Sequence, residues 1–317
     1  MNNAVISGTG SYIPEKQLTN IDLESMLDTS DEWIVSRTGI SSRSIAQDHE
    51  TTSYMASKAA EQALDACGLD ANEIDLIVVA TCTPDYFFPG VACYVQHALK
   101  IKRSIPAFDV SAACSGFVYV MDIAKQYIAS GTAKHVLVIG SESMSRAVDW
   151  SDRATCVLFG DGAGAVVLSA SDKPGIMGSV LHASYDVEKF LSLGNATSQN
   201  KSATITMRGN EVFKLAVKIM GEVVDEVLEL SQLKRSDIQW LIPHQANMRI
   251  IQAIAKKLEL SMSQVIVTIG NQGNTSAASI PLALDCSIRN NQIKRDELLL
   301  IESFGGGMTW GAMVIRY

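Results

Sequence analysis

The sequence has no long apolar run. None of its hydrophobic stretches approaches the roughly 18 residues that a membrane-spanning helix requires. The N-terminal stretch MNNAVISGTGSYIP also lacks the basic segment and apolar core of a secretory signal peptide. These absences argue against a membrane partner and predict a cytoplasmic location.

Positive charge is scarce, and so are the cysteine patterns that mark bridges or metal sites. Lysine and arginine number 26 against 34 aspartates and glutamates, which gives a formal net charge of −8 and argues against a nucleic-acid partner. The cysteines form no CxxC pair and no histidine-rich spacing, so we expect neither disulfides nor a bound metal. Most of the thiols should be buried as small hydrophobic groups. The six cysteines are Cys67, Cys82, Cys93, Cys114, Cys156 and Cys286.

The 317 residues are 47% hydrophobic and 19% charged, which indicates a compact folded chain. Short apolar runs predict buried strands, and many of them are separated by stretches with helical periodicity, such as 53–68 and 210–230. In the second of these, Val212, Leu215 and Ile219 recur on one face. Strands alternating with helices predict an α/β layered fold. The predicted strands are 75–81, 135–142, 164–170, 239–244, 264–270 and 297–303.

Three pairs of segments resemble each other in the same order along the chain. ANEIDLIVVAT resembles RSDIQWLIPHQ, VLVIGSE resembles LLLIESF, and GAGAVVLSA resembles TWGAMVIRY. Repetition in a fixed order favours two homologous halves, which we expect at residues 1–172 and 173–317. The polar stretch 193–204 is predicted to be an exposed loop within the second half.

Cys114 lies where an apolar strand gives way to an amphipathic helical pattern. At a helix N-terminus, the unpaired N–H groups and the helix dipole favour the thiolate, which is the nucleophilic form of cysteine. The neighbouring residues AA and SG are small and leave room for a substrate. Local pattern alone leaves a buried structural cysteine as the alternative.

Two further polar residues also lie between predicted strands and helices. His244 follows a strand in WLIPHQANMRI, and Asn274 follows another in IGNQGNTSAAS. Side chains at the carboxyl ends of strands can face the crevice in which α/β proteins bind ligands. A hydrogen-bonded structural histidine and a helix-capping asparagine are the alternatives.

Two glycine-rich segments favour different interpretations. ESFGGGMTWG puts three glycines after a strand, where backbone N–H groups could approach a substrate oxygen; a tight turn is the alternative. FGDGAGAVVL precedes a strand and not a helix, so it lacks the geometry of a phosphate-binding loop. We interpret its glycines as structural.

Taken together, these motifs resemble the β-ketoacyl-acyl-carrier-protein synthase III family, the initiating condensing enzymes of bacterial fatty-acid synthesis. The segments GTGSYIPE, TSDEWIVSRTGI, AFDVSAACSGF, FGDGAGAVVL, PHQANMRI, GNTSAAS and SFGGGMTWG follow the family's order nearly end to end. The resemblance implies a thiolase-type α/β fold, a five-layer αβαβα sandwich of two similar halves, and a homodimer.

The resemblance also implies a mechanism. Cys114 would accept an acyl group from acyl-CoA, and His244 with Asn274 would stabilise the carbanion formed when malonyl-acyl-carrier-protein loses carbon dioxide. Backbone N–H groups of Cys114 and Gly307 would bind the oxyanion of the condensation step. The acyl-CoA and the acyl carrier protein are then the partners, and no cofactor is required.

The same resemblance implies the ligand contacts. Trp33 and Arg153 would hold the adenine of CoA, and Arg37 would contact its phosphates. The remaining expected contacts are Gly209, Phe213 and Ala246 along the pantetheine tunnel, Phe88 at the partner subunit's acyl pocket, and Gln245, Arg249, Lys214, Lys256 and Lys257 for the acidic carrier protein. The alternative for Lys214, Lys256 and Lys257 is an ordinary solvated helix face.

The chain departs from the family pattern at Gly270, Asn271 and Gln272, and CTPDYFFPG is its own variant near the acyl pocket. Both departures bear on the choice of acyl chain.

A condensing enzyme of polyketide or quinolone type shares the Cys-His-Asn set and stays open as an alternative. A thiolase needs a second cysteine in the C-terminal glycine region, and an elongating synthase needs a second histidine; neither is present there. The intact set of three argues against a non-catalytic acyl-CoA-binding protein, and the motifs of papain-like hydrolases are missing.

Overall fold

The computed structural model describes residues 2–195 and 203–317. Most of the loop predicted at 193–204 lies outside the described residues. None of the helices within the described ranges combines the length and hydropathy of a membrane span. The strands are β1 (Asn3–Tyr12), β2 (Gln17–Thr19), β3 (Ser42–Ser44), β4 (Leu76–Ala80), β5 (Ala107–Val110), β6 (His135–Ser143), β7 (Asp161–Ser171), β8 (Ile176–Ala183), β9 (Leu191–Leu193), β10 (Ile205–Met207), β11 (Trp240–Pro243), β12 (Leu298–Gly305) and β13 (Thr309–Arg316). The α-helices are α1 (Asn20–Glu24), α2 (Asp31–Thr38), α3 (Thr52–Cys67), α4 (Val91–Ala98), α5 (Gly116–Ala129), α6 (Gly209–Leu230), α7 (Met248–Lys257), α8 (Ile269–Gln272) and α9 (Ser279–Arg289).

The first sheet has five strands in the order β1-β7-β6-β4-β5. Strands β5, β4 and β6 are parallel, and β7 and β1 add antiparallel pairs. Every residue of β4 and of β6 is buried, as expected for strands covered on both faces. That double burial explains why these strands are continuous apolar runs in the sequence.

The second sheet repeats this arrangement with one strand fewer. Its order is β11-β12-β13-β8, with β11 and β12 parallel and the other pairs antiparallel. The strand predicted at 264–270 is wrong: only Val265 forms a bridge, to Leu241, and α8 begins at Ile269. The amide side chain of Gln245 replaces strand pairing there. Its Nε2 donates to the carbonyl of Ile266, and its Oε1 accepts from the N–H groups of Thr268 and Ile269.

Helices separate and cover the two sheets. Helices α5 and α9 contact strands of both sheets and form the middle layer, α3 and α4 cover the first sheet, and α6, with α7 packed against it, covers the second. This is the five-layer αβαβα sandwich that the resemblance implied, and it confirms the predicted fold class. The exact division between the halves at 172/173 stays a prediction.

The core of the outer layer beside α6 and α7 draws on both ends of the chain. Leu23, Ile34 and Phe159 from the first half pack there with Val224 and Leu300 from the second. The segment containing α2 and the segment before β7 therefore reach across to the second sheet. Phe159, in the segment before β7, also forms a bridge with Asn274, one of the predicted site residues.

Candidate active site

The turn that carries Cys114 follows β5 directly. Ala113 adopts a positive φ of 47°, residues Ala113–Ser115 form a 3₁₀ turn, and α5 continues from it. Cys114 is buried, and its carbonyl accepts a 2.8 Å hydrogen bond from Ser303 Oγ. The structure therefore puts the thiol at the start of a central helix, where the sequence predicted it.

The glycine segment after β12 packs against this turn. A Cβ atom at Gly305 would lie 2.7 Å from the backbone nitrogen of Cys114, so only glycine allows the approach. Gly307, two residues on, has a φ of 132° and lines the same cavity as Cys114. The close approach brings the two predicted oxyanion donors into one region.

Burial opposes ionisation of the Cys114 thiol. It raises the pKa of Cys114 to about 11, and the nearby Glu142 acts in the same direction. Hydrogen bonding from Ser276 and from the Cys114 backbone lowers that pKa without cancelling the effect of burial. The helix start alone therefore does not keep the thiol ionised near neutral pH.

His244 lies one residue beyond β11, in the wall of the same cavity. Its Nδ1 is 2.6 Å from Ser279 Oγ, at the first residue of α9. Complete burial lowers the pKa of His244 to about 4. The imidazole is therefore neutral at pH 7 and carries a single N–H.

Asn274 is held by its own backbone and by its side-chain oxygen. Its N–H donates to the carbonyl of Leu158 at 2.8 Å, and its carbonyl accepts from Gly160 N–H at 3.1 Å. The N–H of Ser276 donates to Asn274 Oδ1 at 2.9 Å. Because the oxygen of the amide faces a backbone donor, the Nδ2 hydrogens are the ones available to a ligand. The FGDGAG segment thus has a structural role in positioning Asn274.

One cavity of about 1350 Å³ connects these groups with the surface. Most of the residues that the sequence assigned to the catalytic site, the oxyanion site and the CoA tunnel line it. They are Cys114, His244, Asn274, Gly307, Trp33, Arg37, Gly209, Phe213 and Ala246. Arg249, which the sequence assigned to the carrier-protein surface, also lines the cavity.

The predicted adenine-binding residues contact one another. The guanidinium carbons of Arg37 and Arg153 lie 5.1 Å and 4.8 Å from the centre of the Trp33 ring. Arg153 also donates to the carbonyl of Asp28 and is not among the residues that line the cavity. An adenine held between Trp33 and Arg153 would have to separate this pair.

Several predicted contact residues lie outside the cavity. Phe88 is 86% exposed, whereas its neighbour Phe87 lines the cavity. Lys214 and Lys256 are exposed on α6 and α7. These positions leave the expected roles of Phe88 and the two lysines as predictions.

Two residues expected in the carrier-protein surface have other partners. Gln245 is 1% exposed, and its amide is engaged with backbone groups from Pro243 to Ile269. Its side chain is therefore unavailable to a carrier protein, which corrects that expectation.

Lys257 Nζ donates to the carbonyls of Val217 and Lys218 on α6. It lies against Gly221, where a Cβ would be 2.2 Å from its Cε atom, so it joins the two outer helices.

Sequence reasoning missed two buried carboxyl groups near the site. Glu142 Oε2 accepts hydrogen bonds from Thr81 Oγ1, Thr83 Oγ1 and the N–H of Cys82. Glu302 lines the cavity and is 1% exposed, and its Oε2 has no hydrogen-bond partner among the described residues. Burial raises the pKa of Glu302 to about 8. Both Glu142 and Glu302 could have been noticed in the sequence, because each is an acidic residue at the end of an apolar run that predicts a buried strand.

A five-layer sandwich with a buried cysteine at the start of a central helix is the architecture of the thiolase-type acyltransferases. Within the described residues, no group of three or more His, Cys, Asp or Glu side chains could hold a metal ion. Similarity to known proteins narrows this class to one family.

Two family models match the chain. That for 3-oxoacyl-[acyl-carrier-protein] synthase III matches residues 108–184, and that for its C-terminal region matches residues 228–317. A β-ketoacyl-[acyl-carrier-protein] synthase III of Coxiella burnetii is 52% identical, with 100% of each chain covered. The crystal structure of 3-oxoacyl-[acyl-carrier-protein] synthase III from Aquifex aeolicus superposes with a TM-score of 0.94 at 50% identity, covering 100% of both chains. The chain belongs to the 3-oxoacyl-[acyl-carrier-protein] synthase III family.

A protein of secondary metabolism is also similar, at lower identity. The priming β-ketosynthase from the R1128 polyketide biosynthetic pathway superposes with a TM-score of 0.93 at 35% identity, covering 99% of this chain and 96% of that one. The fold is therefore shared with that enzyme, while the sequence is nearer to the synthases named above.

Proposed function

We propose that this chain catalyses the first condensation of fatty-acid synthesis. It joins an acyl-CoA primer to malonyl-acyl-carrier-protein and releases 3-oxoacyl-acyl-carrier-protein, CoA and carbon dioxide. Family membership supports the reaction, and one observation supports the mechanism: buried Cys114, His244 and Asn274 line a single cavity.

The first half-reaction transfers the acyl group to Cys114. The sulfur attacks the thioester carbonyl, the bond to the CoA sulfur breaks, and the thiol proton leaves with CoA as its free thiol. The backbone N–H groups of Cys114 and Gly307, which bind the oxyanion of the later condensation step, also stabilise the oxyanion of this acyl transfer. Because burial raises the pKa of Cys114 to about 11, the thiol must lose its proton as the acyl-CoA reacts.

The second half-reaction begins when malonyl-acyl-carrier-protein enters the same cavity. Loss of carbon dioxide moves an electron pair onto the thioester oxygen, and His244 with Asn274 donates hydrogen bonds to that oxygen. The carbanion attacks the acyl group on Cys114. This attack forms the new carbon–carbon bond, and collapse of the resulting tetrahedral intermediate expels the sulfur, which regains a proton.

The ligand contacts form part of the same proposal. Trp33, Arg37 and Arg153 bind the nucleotide end of CoA, and Gly209, Phe213 and Ala246 line the path of pantetheine. Exposed Arg249, Lys214 and Lys256 attract the acidic carrier protein. Arg249 supports this role best because it is exposed and also lines the cavity.

The setting of the reaction is proposed as well. Residues 1–172 carry the nucleophile and residues 173–317 carry the two hydrogen-bond donors. The chain works in the cytoplasm as a homodimer, with Phe88 reaching the partner subunit's acyl pocket. Acyl transfer from a thiol and decarboxylation of a malonyl thioester require no metal or redox cofactor.

A priming synthase of polyketide or quinolone metabolism is the alternative, and it is not favoured. Full-length identity is 52% to the Coxiella burnetii synthase but 35% to the polyketide priming enzyme.

The test is the intact mass of the protein after incubation with a panel of acyl-CoAs, followed by malonyl-acyl-carrier-protein. We expect one acyl group per chain, whose mass names the primer, and its loss when a 3-oxoacyl product forms. A chain that no acyl-CoA acylates, or an acyl group that malonyl-acyl-carrier-protein does not remove, would contradict the proposal.

A further inference from the structure

The hydrogen bonds around Ser279 restrict where its proton can lie. Ser279 is 1% exposed, and its Oγ is 2.6 Å from His244 Nδ1 and 3.3 Å from the backbone nitrogen of Gln245. A backbone N–H can only donate, so Ser279 Oγ accepts the bond from Gln245. Among the described residues, His244 Nδ1 is the one remaining partner recorded for the hydroxyl proton.

This arrangement determines which nitrogen of His244 carries the hydrogen. If Ser279 donates to Nδ1, then Nδ1 is the unprotonated nitrogen of the neutral ring and Nε2 carries the N–H. The reverse arrangement would leave the hydroxyl proton buried without an acceptor, which is costly. The contacts therefore favour a His244 that donates only from Nε2.

The main chain around this pair is fixed by Gln245. Its Nε2 donates to the carbonyls of Pro243 and Ile266, and its Oε1 accepts from Thr268 and Ile269. The peptide that donates to Ser279 is thereby held between β11 and the segment before α8. Gln245, which sequence reasoning assigned to the carrier-protein surface, instead stabilises the geometry of His244.

We propose that Ser279 is a positioning residue that keeps His244 in its Nε2–H form and orients that N–H toward the thioester oxygen. This inference rests on the proposed function, since it assigns His244 to the decarboxylation half-reaction. Loss of a residue that orients a metal-bound histidine typically costs about 10- to 100-fold, and we take that factor as the scale for His244. We expect Ser279→Ala to lower kcat for carbon dioxide release by about that factor, with little change in KM for malonyl-acyl-carrier-protein.

Three variants test the proposal in the full-length protein. Ser279→Ala removes the hydroxyl, and Ser279→Thr retains it and should recover much of the rate. Ser287→Ala is the matched control, because Ser287 is also buried on α9 and its hydroxyl donates to the carbonyl of Ala283 within the helix. Acylation of Cys114 should be unchanged in all three variants, and Ser287→Ala should retain carbon dioxide release.

The direct readout is the tautomer of His244 by ¹⁵N NMR of histidine-labelled protein. The sequence has five histidines, and a His244→Ala spectrum identifies the relevant signal. We expect the Nε2–H tautomer in the unmodified protein and partial or complete loss of that preference in Ser279→Ala.

An Nδ1–H tautomer in the unmodified protein would overturn the proposal, even if Ser279→Ala failed to fold. Unchanged carbon dioxide release and an unchanged tautomer in Ser279→Ala would also overturn it. Failure of the proposed function would differ from both, because the unmodified protein itself would then not take an acyl group or release carbon dioxide.

Discussion

The two halves of the molecule use nearly the same turn before their central helices. Ala113 and Ser276 have positive φ values of 47° and 50°, and each begins a 3₁₀ turn that leads into α5 or α9. The residue after the positive φ is Cys114 in the first half and Ala277 in the second. One backbone arrangement thus holds a thiol in one half and a methyl group in the other.

The hydrogen bonds at the two turns also differ. At the first turn, Ser303 bonds to the carbonyl of Cys114, and Ser115 bonds to the carbonyl of Ala112 and to Thr309 Oγ1. The Cys114 side chain lines the cavity and is hydrogen-bonded to Ser276. At the second turn, the Ser276 N–H and the Ser279 hydroxyl bond to the side chains of Asn274 and His244. Under the proposed function, this difference corresponds to a division of labour, in which the first half supplies the nucleophile and the second supplies oriented donors.

The largest effect should come from removing the nucleophile. Cys114→Ala should abolish acylation by every acyl-CoA, because Cys114 carries the thiol at the start of α5. The Cys82 thiol also lines the cavity and bonds to the Ala113 backbone, but burial raises its pKa to about 12. The intact mass of the variant after incubation measures this. Cys93→Ala is the control, since Cys93 is exposed, and it should be acylated like the unmodified chain. An acyl group that persists on Cys114→Ala would contradict the assignment.

Removing one donor of the second half should produce the next largest effect. His244→Ala or Asn274→Ala should slow carbon dioxide release from malonyl-acyl-carrier-protein by about 100- to 1,000-fold, the usual cost of losing one such donor. The radiolabelled carbon dioxide released in single-turnover assays measures this rate.

Acylation of Cys114 should continue in both donor variants. If either variant lost acylation but kept decarboxylation, the roles assigned to the two turns would have to be exchanged.

Reversing the charge at Arg249 should affect only the half-reaction that uses the carrier protein. Arg249→Glu should weaken the use of malonyl-acyl-carrier-protein by about tenfold, and more strongly at low salt, where exposed charges are least screened. Acyl-CoA should load Cys114 at nearly the normal rate. Rates of both half-reactions across salt concentrations provide the measurement.

Lys102→Glu is the matched control, because Lys102 is exposed and follows α4 in the opposite outer layer. It should leave both half-reactions unchanged. An equal loss of both half-reactions in Arg249→Glu would indicate damage to the cavity, and the docking role would be dropped.

The two halves also differ in their buried carboxyl groups, Glu142 and Glu302. The smallest effect we expect is on the pH dependence of stability. Three donors bond to Oε2 of Glu142 in the first half, whereas Oε2 of Glu302, like Oε1 of Glu142, has no partner among the described residues. Burial raises the pKa of Glu302 from 4.5 to about 8. An unfolded chain would bind fewer protons than the folded chain between those values, so Glu302 lowers stability as pH rises from about 4.5 to 8.

Glu302→Gln should therefore stabilise the protein more at pH 9 than at pH 5, by about 1 to 3 kcal/mol. Urea unfolding at the two pH values measures the difference, with Glu259→Gln as an exposed control. A stability change in Glu302→Gln that is independent of pH would mean that the carboxyl group is ionised in the folded protein.

The sequence predicted the features that depend on local pattern. Runs such as Leu76–Ala80 are buried strands, and the strand ends before Cys114 and His244 occur where expected. The strand predicted at 264–270 did not form, because Gln245 satisfies the backbone groups that a neighbouring strand would otherwise pair with. Periodicity cannot reveal such a contact.

The positions of Ser279 and Glu302 were missed for a related reason. Ser279 acquires its role from a contact with His244, 35 positions earlier in the chain. Glu302 is distinguished by a buried carboxyl oxygen, Oε2, that lacks a partner among the described residues, and such burial depends on tertiary packing. The family resemblance implied the roles proposed for Cys114, His244 and Asn274 but not the contacts that position them.

The most direct test of the division of labour is carbon dioxide release from malonyl-acyl-carrier-protein by Cys114→Ala, measured beside His244→Ala. The intact mass of each protein after incubation with acyl-CoA shows whether it carries an acyl group. We predict that Cys114→Ala releases carbon dioxide but takes no acyl group. His244→Ala should take an acyl group but release little carbon dioxide. Loss of both half-reactions in either folded variant would contradict the claim that the two turns perform separate steps.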